Sequence, residues 1–427
     1  MSGGGGSKDG AGPPAEVRSP ADSQINLVDT LVGVTRSALP PPPLTTTEIG
    51  SFAWDTPHRR VPEILAETRR KLGPVPVAVD EAFDALDHEL RAGQLRGLAE
   101  AAPDRAAWDE ACAPHVGKSW LDLPWYFAES YFYRRVVEAT GYFGAGLMAG
   151  RDPYAASKAS EWALDEGPAR AGELLATAPE EAFVRLEALI LGSLWGNRAD
   201  LSYNVARELG AFAGEVADLL VNDTAAVARF LIEQSPSRVA VIADNAGTEC
   251  LMDLALIDHL LGPVGVPYVE LHVKNHPFFV SDTVEADLPV ALAALAASGR
   301  AETVGLGARV AEHLRARRLV VKAHPFYTSS AFYRALPKDL RAELASFGLV
   351  VVKGDANYRR LLSDAPWPPE TSFADVVGYF PAPVCALRTM KAPVVVGLRP
   401  GQAAELEAVD ARWMVNGKRG LVQARLG

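Results

Sequence analysis

The chain has 427 residues, 42 of them Lys or Arg and 53 Asp or Glu, for a formal net charge of −11. No window approaches the ~20 apolar residues of a membrane span, and an acidic balance disfavours a general nucleic-acid binder, so neither membrane nor nucleic acid is an expected partner. Three widely spaced cysteines, Cys112, Cys250 and Cys385, form no disulfide framework or cysteine-rich zinc site, and no apolar signal segment opens the chain, so the expected location is the cytoplasm.

Residues 1–44 read as a Gly/Pro-rich disordered tail, too poor in apolar side chains to offset its ordering entropy. It ends in the stiff run Pro40 to Pro43. An N-terminal helical domain is expected over residues 45–235. In its first helix Pro62 suits an opening turn, and Val61, Ile64, Leu65 and Leu72 recur at helical spacing. An amphipathic stretch follows at 79–100. The next helix, 123–140, carries Trp125, Tyr126, Phe127, Tyr131, Phe132 and Tyr133, a stripe that reads as core rather than as a ligand cage. Further helices are expected at 180–194 and 209–231, the second with Asn222-Asp223-Thr224 in its middle.

From 236 to 427 the texture becomes α/β. Apolar runs at 238–243, 266–273, 318–323, 348–354, 382–388 and 392–398 read as strands, with helical stretches such as 248–262 and 304–318 between them. Such alternation specifies a mostly parallel sheet covered on both faces. The expected fold is therefore a three-layer Rossmann-like α/β domain packed against the N-terminal helical domain. In such sheets ligands bind beyond the carboxyl ends of the strands.

The residues at those ends are polar. The first strand runs into Asp244-Asn245-Ala246-Gly247-Thr248-Glu249, where a carboxylate beside an amide offers hard oxygens to a divalent cation. Taken alone, the pair reads more readily as a helix cap than as a metal site. The second strand leads to Asp282, with His272, Lys274 and His276 nearby. The third ends at Lys322 and His324, the fourth at Lys353 to Arg360, and the fifth at Arg388 to Lys391. Five polar endings on one rim exceed what capping requires and favour a site. Asp244, Asn245 and Asp282 would hold one metal ion, and Asn357, Arg359 and Lys391 an anion beside it, an arrangement suited to phosphoryl chemistry. The chain has no GxSxG elbow and no GxxxxGK[ST] phosphate loop, which disfavours a serine hydrolase or a P-loop kinase.

These residues carry a resemblance. Ser51-Phe52-Ala53, Arg60-Val61-Pro62, Ser119 to Trp125, Glu129 to Arg135, residues 195–202 and Asn222-Asp223-Thr224 lead to four specific motifs: Asp244 to Glu249, Phe279-Val280-Ser281-Asp282, Lys353 to Arg359 and Arg388-Thr389-Met390-Lys391. From about Ser51 to Leu398 the sequence resembles the metal-dependent damage-control phosphatases, in the Arg-Thr-x-Lys group that includes a protein once described as an acidic-residue methyltransferase. The resemblance implies one divalent metal ion (Mn, Co, Ni or Mg) at Asp244, Asn245 and Asp282. It implies phosphate or sugar-phosphate contacts from Asp355, Asn357, Tyr358, Arg359, Arg388 and Lys391, and a role for Glu249 in binding or activating water or substrate. The implied partner is a small phosphorylated metabolite, such as a fructose phosphate or a damaged or surplus cofactor intermediate, with the helical part roofing the pocket of a monomer or small homo-oligomer.

The mechanism expected from it is in-line attack of water on phosphorus. Asp282 or Glu249 would orient or deprotonate the water, and Lys391, with Arg359 and Asn357, would stabilise the equatorial oxygens. Ala356 stands where a leucine is usual and Phe278 where a tryptophan is common. Both spare the ligands and reshape the pocket. Two alternatives are an S-adenosylmethionine-dependent glutamate O-methyltransferase and a specialised biosynthetic enzyme or non-catalytic binder on the same fold. Against the first, the glycine-rich turn Gly141 to Gly146 lies in the helical half rather than after a strand.

Overall fold

Ser51 opens the helical layer: its hydroxyl accepts the Trp54 N–H at 3.0 Å and caps the turn Phe52–Asp55. The chain then passes through a π-turn, Thr56–Arg60, into helix α1 (Val61–Leu72). The computed structural model describes residues 1, 3–4, 38–163, 166–196 and 218–427. Most of the expected tail, residues 197–202 of the motif set and the first half of the expected helix 209–231 lie outside the described residues. Helix α2 (Val77–Ala92) stops at Gly93, short of the expected 100, because the following residues turn extended and Gln94 bridges to Ser119. Helices α3 (Arg105–Cys112) and α4 (Trp125–Ala139) follow, and a short helical turn, Ala155–Ala159, with the tighter turn Ser160–Trp162 completes the layer. Residues Trp125 to Val137 of α4 are all buried. Phe127, Tyr131 and Phe132 pack with Phe83, Leu86, Trp108, Trp120 and Phe278. The aromatic stripe is core.

The second part is built on a seven-stranded sheet. Its strands are β1 (Leu219–Asn222), β2 (Arg238–Ile242), β3 (Tyr268–Val273), β4 (Leu319–Ala323), β5 (Leu349–Lys353), β6 (Val384–Thr389) and β7 (Gly420–Arg425). Their order is β1-β7-β6-β5-β2-β3-β4, and every neighbouring pair is parallel except β6 and β7. One face takes Val239, Val241, Leu349, Val351, Cys385 and Leu387. It is covered by α5 (Gly167–Thr177), α6 (Ala182–Trp195), α7 (Thr224–Gln234), α8 (Thr248–Leu261), α9 (Asp287–Ala297) and α10 (Ala301–Arg315). The alternate residues Ala240, Ile242, Val350, Val352, Val384 and Ala386 face the other side, where α11 (Lys338–Leu344) and α12 (Asp355–Leu361) pack with Tyr327, Tyr333 and Phe380. The period of two in burial is the pleat itself. Helix α13 (Gln402–Val409) precedes β7. This is the expected three-layer α/β architecture with an N-terminal helical layer.

Two expected elements differ. Residues 219–222 form β1 rather than the middle of a helix. The Asn222 side chain accepts the Thr224 N–H (3.1 Å) and Asp223 accepts the Ala424 N–H (2.9 Å), so this pair ends a strand and starts α7. Residues 392–398 form no strand. Only two residues separate Thr389 from Ala392, too few for a crossover to a parallel neighbour. The Val394 and Val396 carbonyls instead accept from Arg388 and Gln423. The missing strand is β7, which pairs antiparallel with β6. No helix among the described residues is long and apolar enough to cross a membrane.

Candidate active site

From β2 the chain winds one way to β3 and β4, then returns to β5 and β6 on the other side of β2. The crevice beyond β2 and β5 is therefore the topological switch point, where backbone segments diverge and leave room for a ligand. Asp244 and Asn245 follow β2 there, and Gly354 and Asp355 follow β5. These four line a cleft with Glu249, Thr389 and Lys391.

Asp282 reaches the same place from the loop after β3. Residues Asn245 and Asp282 form an antiparallel bridge, the Asp244 carbonyl accepts the Thr283 N–H (2.9 Å), and the Ser281 carbonyl accepts the Ala246 N–H (2.7 Å). The Asn245 side chain donates to Asp244 Oδ2 (2.8 Å) and Glu249 Oε2 (2.9 Å), and its Oδ1 accepts from Ser281 Oγ (2.5 Å). Asp282 Oδ2 accepts the Phe279 N–H (3.0 Å) and lies 3.7 Å from Lys274 Nζ. Among the described residues no hydrogen bond reaches Asp244 Oδ1 or Asp282 Oδ1. Two glycines make the close approach. A Cβ on Gly354 would stand 2.0 Å from Asp244 Cγ, and one on Gly247 2.4 Å from Glu161 Oε2; both glycines have positive φ.

Burial, then the like charges of Glu249 and Asp282, push the Asp244 carboxyl well above its ordinary range. Burial also raises Asp282, against the pull of Lys274. Two buried carboxylates and an amide oxygen, each with an unengaged lone pair, are a donor set suited to a hard divalent cation, whose charge would relieve their mutual repulsion. The residues present fit the metal that the sequence resemblance implies.

The remaining expected residues divide. Lys391 is exposed on the rim, and its backbone N–H is held by Asp355 Oδ1 at 3.0 Å. Asp355 also accepts from Arg388 Nε (2.8 Å). Glu249 is engaged at both oxygens, by Asn245 and by Lys353 Nζ at 3.1 Å. Asn357, Tyr358, Arg359 and Arg388 are buried behind the cleft. The Asn357 amide donates to the Ala243 and Lys353 carbonyls, and the Tyr358 hydroxyl to Gln423. Arg388 donates to the Ala392 and Val394 carbonyls and lies over the Tyr358 ring. Arg359 pairs with Asp364 (2.7 Å) and with Glu129 of α4 (2.5 Å), and stacks 3.5 Å from the Trp125 ring centre. Asp364 in turn accepts the Tyr126 N–H. Arg359 therefore rivets the helical roof to the sheet.

Not every polar strand end converges. Lys322, near the end of β4, turns to Glu270 (3.2 Å) and to Glu343, and His324 turns to Asp339. Glu270, His272 and Glu343 hold three ligand atoms within 4.8 Å of one another, but the Lys322 ammonium already lies among them and Arg238 adds a second positive charge to Glu270. His276 faces Asp104 of the roof.

Sequence reasoning missed Glu161, which reaches over Gly247 from the roof, is pushed up by burial and Glu249, and feels Lys391 in opposition. It also missed Ser193 and Asp253, which lie behind the cleft with Lys353. Only Asp253 has a spacing signal, four residues after Glu249 on α8; Glu161 and Ser193 have none. Only packing brings them to the site.

The chain matches the family model of the damage-control phosphatase ARMT1-like domain over residues 56–406. It is 30% identical to the human damage-control phosphatase ARMT1 over 439 aligned residues, covering 90% of this chain and 99% of that one. It is also 30% identical to the Danio rerio protein of the same name, covering 90% and 97%. A solved DUF89 family protein of Pyrococcus horikoshii aligns over 87% of this chain and 97% of its own length, with a TM-score of 0.47 and 11% identity.

Proposed function

Because the chain belongs to the damage-control phosphatase ARMT1-like family and is a phosphatase, we propose that it hydrolyses small phosphorylated metabolites with one divalent cation held by Asp244, Asn245 and Asp282. The substrates best suited to the resemblance are sugar phosphates such as fructose phosphates, and damaged or surplus phosphorylated intermediates. One observation carries this reading: two buried carboxylates and an amide meet at the switch point of the sheet, with an exposed lysine on the same cleft.

When bound, a divalent cation supplies Lewis acidity toward a phosphate oxygen and acidifies nearby water. Lys391 reaches the phosphoryl oxygens from the opposite rim and neutralises their growing charge. Asp355 holds the Lys391 backbone in place. Both oxygens of Glu249 are engaged, which supports an orienting role for it. Asp282, with Oδ1 outside any described hydrogen bond, is the better group to orient water. Asn357, Tyr358 and Arg388 act by holding the start of α12, which carries Asp355, and the loop that carries Lys391, while Arg359 ties α12 to the roof. The three cysteines are free and buried, which supports a reducing, cytoplasmic setting, with the chain acting as a monomer or small homo-oligomer.

The test is hydrolysis of p-nitrophenyl phosphate, followed by a panel of sugar and cofactor phosphates, with Mn, Co, Ni and Mg in parallel. Asp244→Ala should abolish metal-dependent turnover while circular dichroism stays native. Full residual activity refutes the ligand assignment. Tight S-adenosylmethionine binding without metal-dependent phosphate release would favour the methyltransferase reading instead.

A further inference from the structure

Behind the cleft lies a buried ammonium that the proposed reaction does not use. Lys353 ends β5 and is 1% exposed. Its N–H groups go to Asp253 Oδ1 (2.7 Å), Ser193 Oγ (2.9 Å) and the Ser193 carbonyl (2.5 Å), and Glu249 Oε1 lies 3.1 Å away as an ion pair. Glu249 and Asp253 are four residues apart on α8, so both carboxylates project from one face, and the ammonium sits between them. An ammonium has three N–H groups; Asp253 and the two Ser193 oxygens take them, and Glu249 is held by the charge beside it.

The consequence reaches the cleft through Glu249. With Oε1 held by Lys353, Oε2 is presented to Asn245 Nδ2 at 2.9 Å, while Asp244 Oδ2 takes the other amide hydrogen at 2.8 Å. The Asn245 NH2 group therefore faces two carboxylate oxygens, and its Oδ1 must face the other way, toward Ser281. Flipping the amide would set its oxygen against both carboxylates. We propose that Lys353 is a positioning residue: through Glu249 it fixes the rotamer and amide orientation of Asn245, and so keeps an oxygen rather than an NH2 group available to the cation.

The inference of a cation effect rests on the proposed metal reading; the amide orientation does not. Burial opposes the charge of Lys353, but Asp253 and Glu249 outweigh it and hold the ammonium protonated. Without that charge, Glu249 would be left buried beside Asp244 and Asp253 and would not keep its place.

Lys353→Met tests this in the full-length protein with two readouts. The first is the Asn245 side-chain amide resonance pair in a 15N-labelled sample, assigned by its loss in Asn245→Asp. The second is Mn2+ affinity by titration calorimetry. The expected result is a shifted, faster-exchanging Asn245 amide and Mn2+ binding weakened by about 10- to 100-fold, the usual scale for loss of a group that orients a metal ligand. Lys322→Met, which removes an ammonium from the Glu270 and Glu343 pair away from the cleft, should change neither. An unshifted amide with Mn2+ affinity within twofold of wild type overturns the proposal. If wild type binds no Mn2+, the metal reading fails, and the amide resonances still decide the role of Lys353. If Lys353→Met does not fold, the pair Lys353→Met with Asp253→Met removes the buried cation together with one buried carboxylate and is judged by the same two outcomes.

Discussion

Gly354→Ala is the sharpest single test of how the cleft is held. Gly354 has φ 84 and ψ 170, a region that essentially only glycine occupies. An alanine there carries a strain of about 1–3 kcal/mol. The larger effect is steric. The new Cβ would lie 2.0 Å from Asp244 Cγ, whereas carbon atoms rest about 3.5–4.0 Å apart, so Asp244 must retreat by roughly 1.5 Å. A displacement of about 1 Å in a reacting constellation costs on the order of 100-fold in rate. We therefore expect metal-dependent kcat/KM on p-nitrophenyl phosphate to fall at least ~100-fold, with Tm down by about 2–12 °C on the scale of 2–4 °C per kcal/mol. Gly401→Ala is the control. Gly401 also has positive φ (78), but its Cβ meets nothing within 4 Å, so it should show strain of about 1–2 kcal/mol with activity unchanged. Gly354→Ala activity within threefold of Gly401→Ala would refute the argument that Asp244 is set by its contact with Gly354.

Lys391→Ala should lower kcat by at least ~10-fold while Mn2+ affinity changes less than about threefold; an equal loss of both would place Lys391 with the metal rather than with the phosphate. Arg359→Met leaves Asp364 buried without its cation and Glu129 with only the more distant Arg60 (3.9 Å), and breaking such a pair costs about 3–5 kcal/mol; urea denaturation should show it, and a loss under 1 kcal/mol would argue that Arg359 does not rivet the roof. Burial works against the charge of Asp104, yet the nearby His276 ring (3.4 Å) and the hydrogen bonds from Arg134 outweigh this and hold the carboxyl well below its ordinary value. A depressed carboxylate contributes fully above its unfolded pKa of roughly 3.9 and loses that contribution as pH falls toward its folded value. The stability gap between wild type and Asp104→Asn should thus be widest near pH 7 and narrow below about pH 4 in urea titrations; a constant gap would contradict the assignment.

The layered fold and the place of the candidate site were legible because they rest on local signals. Continuous apolar strands announce a parallel sheet, and Asp244 stands directly after one. Strand β7 was hidden because GLVQAR is short and mixed, and its antiparallel partner makes it strand-like only in context. Residues 392–398 misled for the opposite reason: an apolar run signals burial, and burial does not require a strand. The arginines show the same limit in the site. Arg359 and Arg388 are visible as charges next to Lys391, but what they do depends on Glu129, Asp364 and two loop carbonyls, and nothing in the local pattern points to these. Glu161 and Ser193 reach the cleft only through tertiary packing, so no reading of strand ends finds them.

The sheet order also constrains when this protein can fold. Among the described residues, strand β1 has a single neighbour, β7, which lies about 200 residues further along the chain. At synthesis rates of about 5–20 residues per second, β1 leaves the ribosome some 10–40 s before its partner exists. Strands β2 to β6 can assemble during that interval and build the switch-point cleft, with Asp244, Asp282 and Gly354 in place. Beyond β6, however, the edge stays open until residues 420–425 pair with it and seat β1 alongside. During that interval the nascent sheet presents β6 as an exposed, apolar edge, the kind of surface that other chains can join.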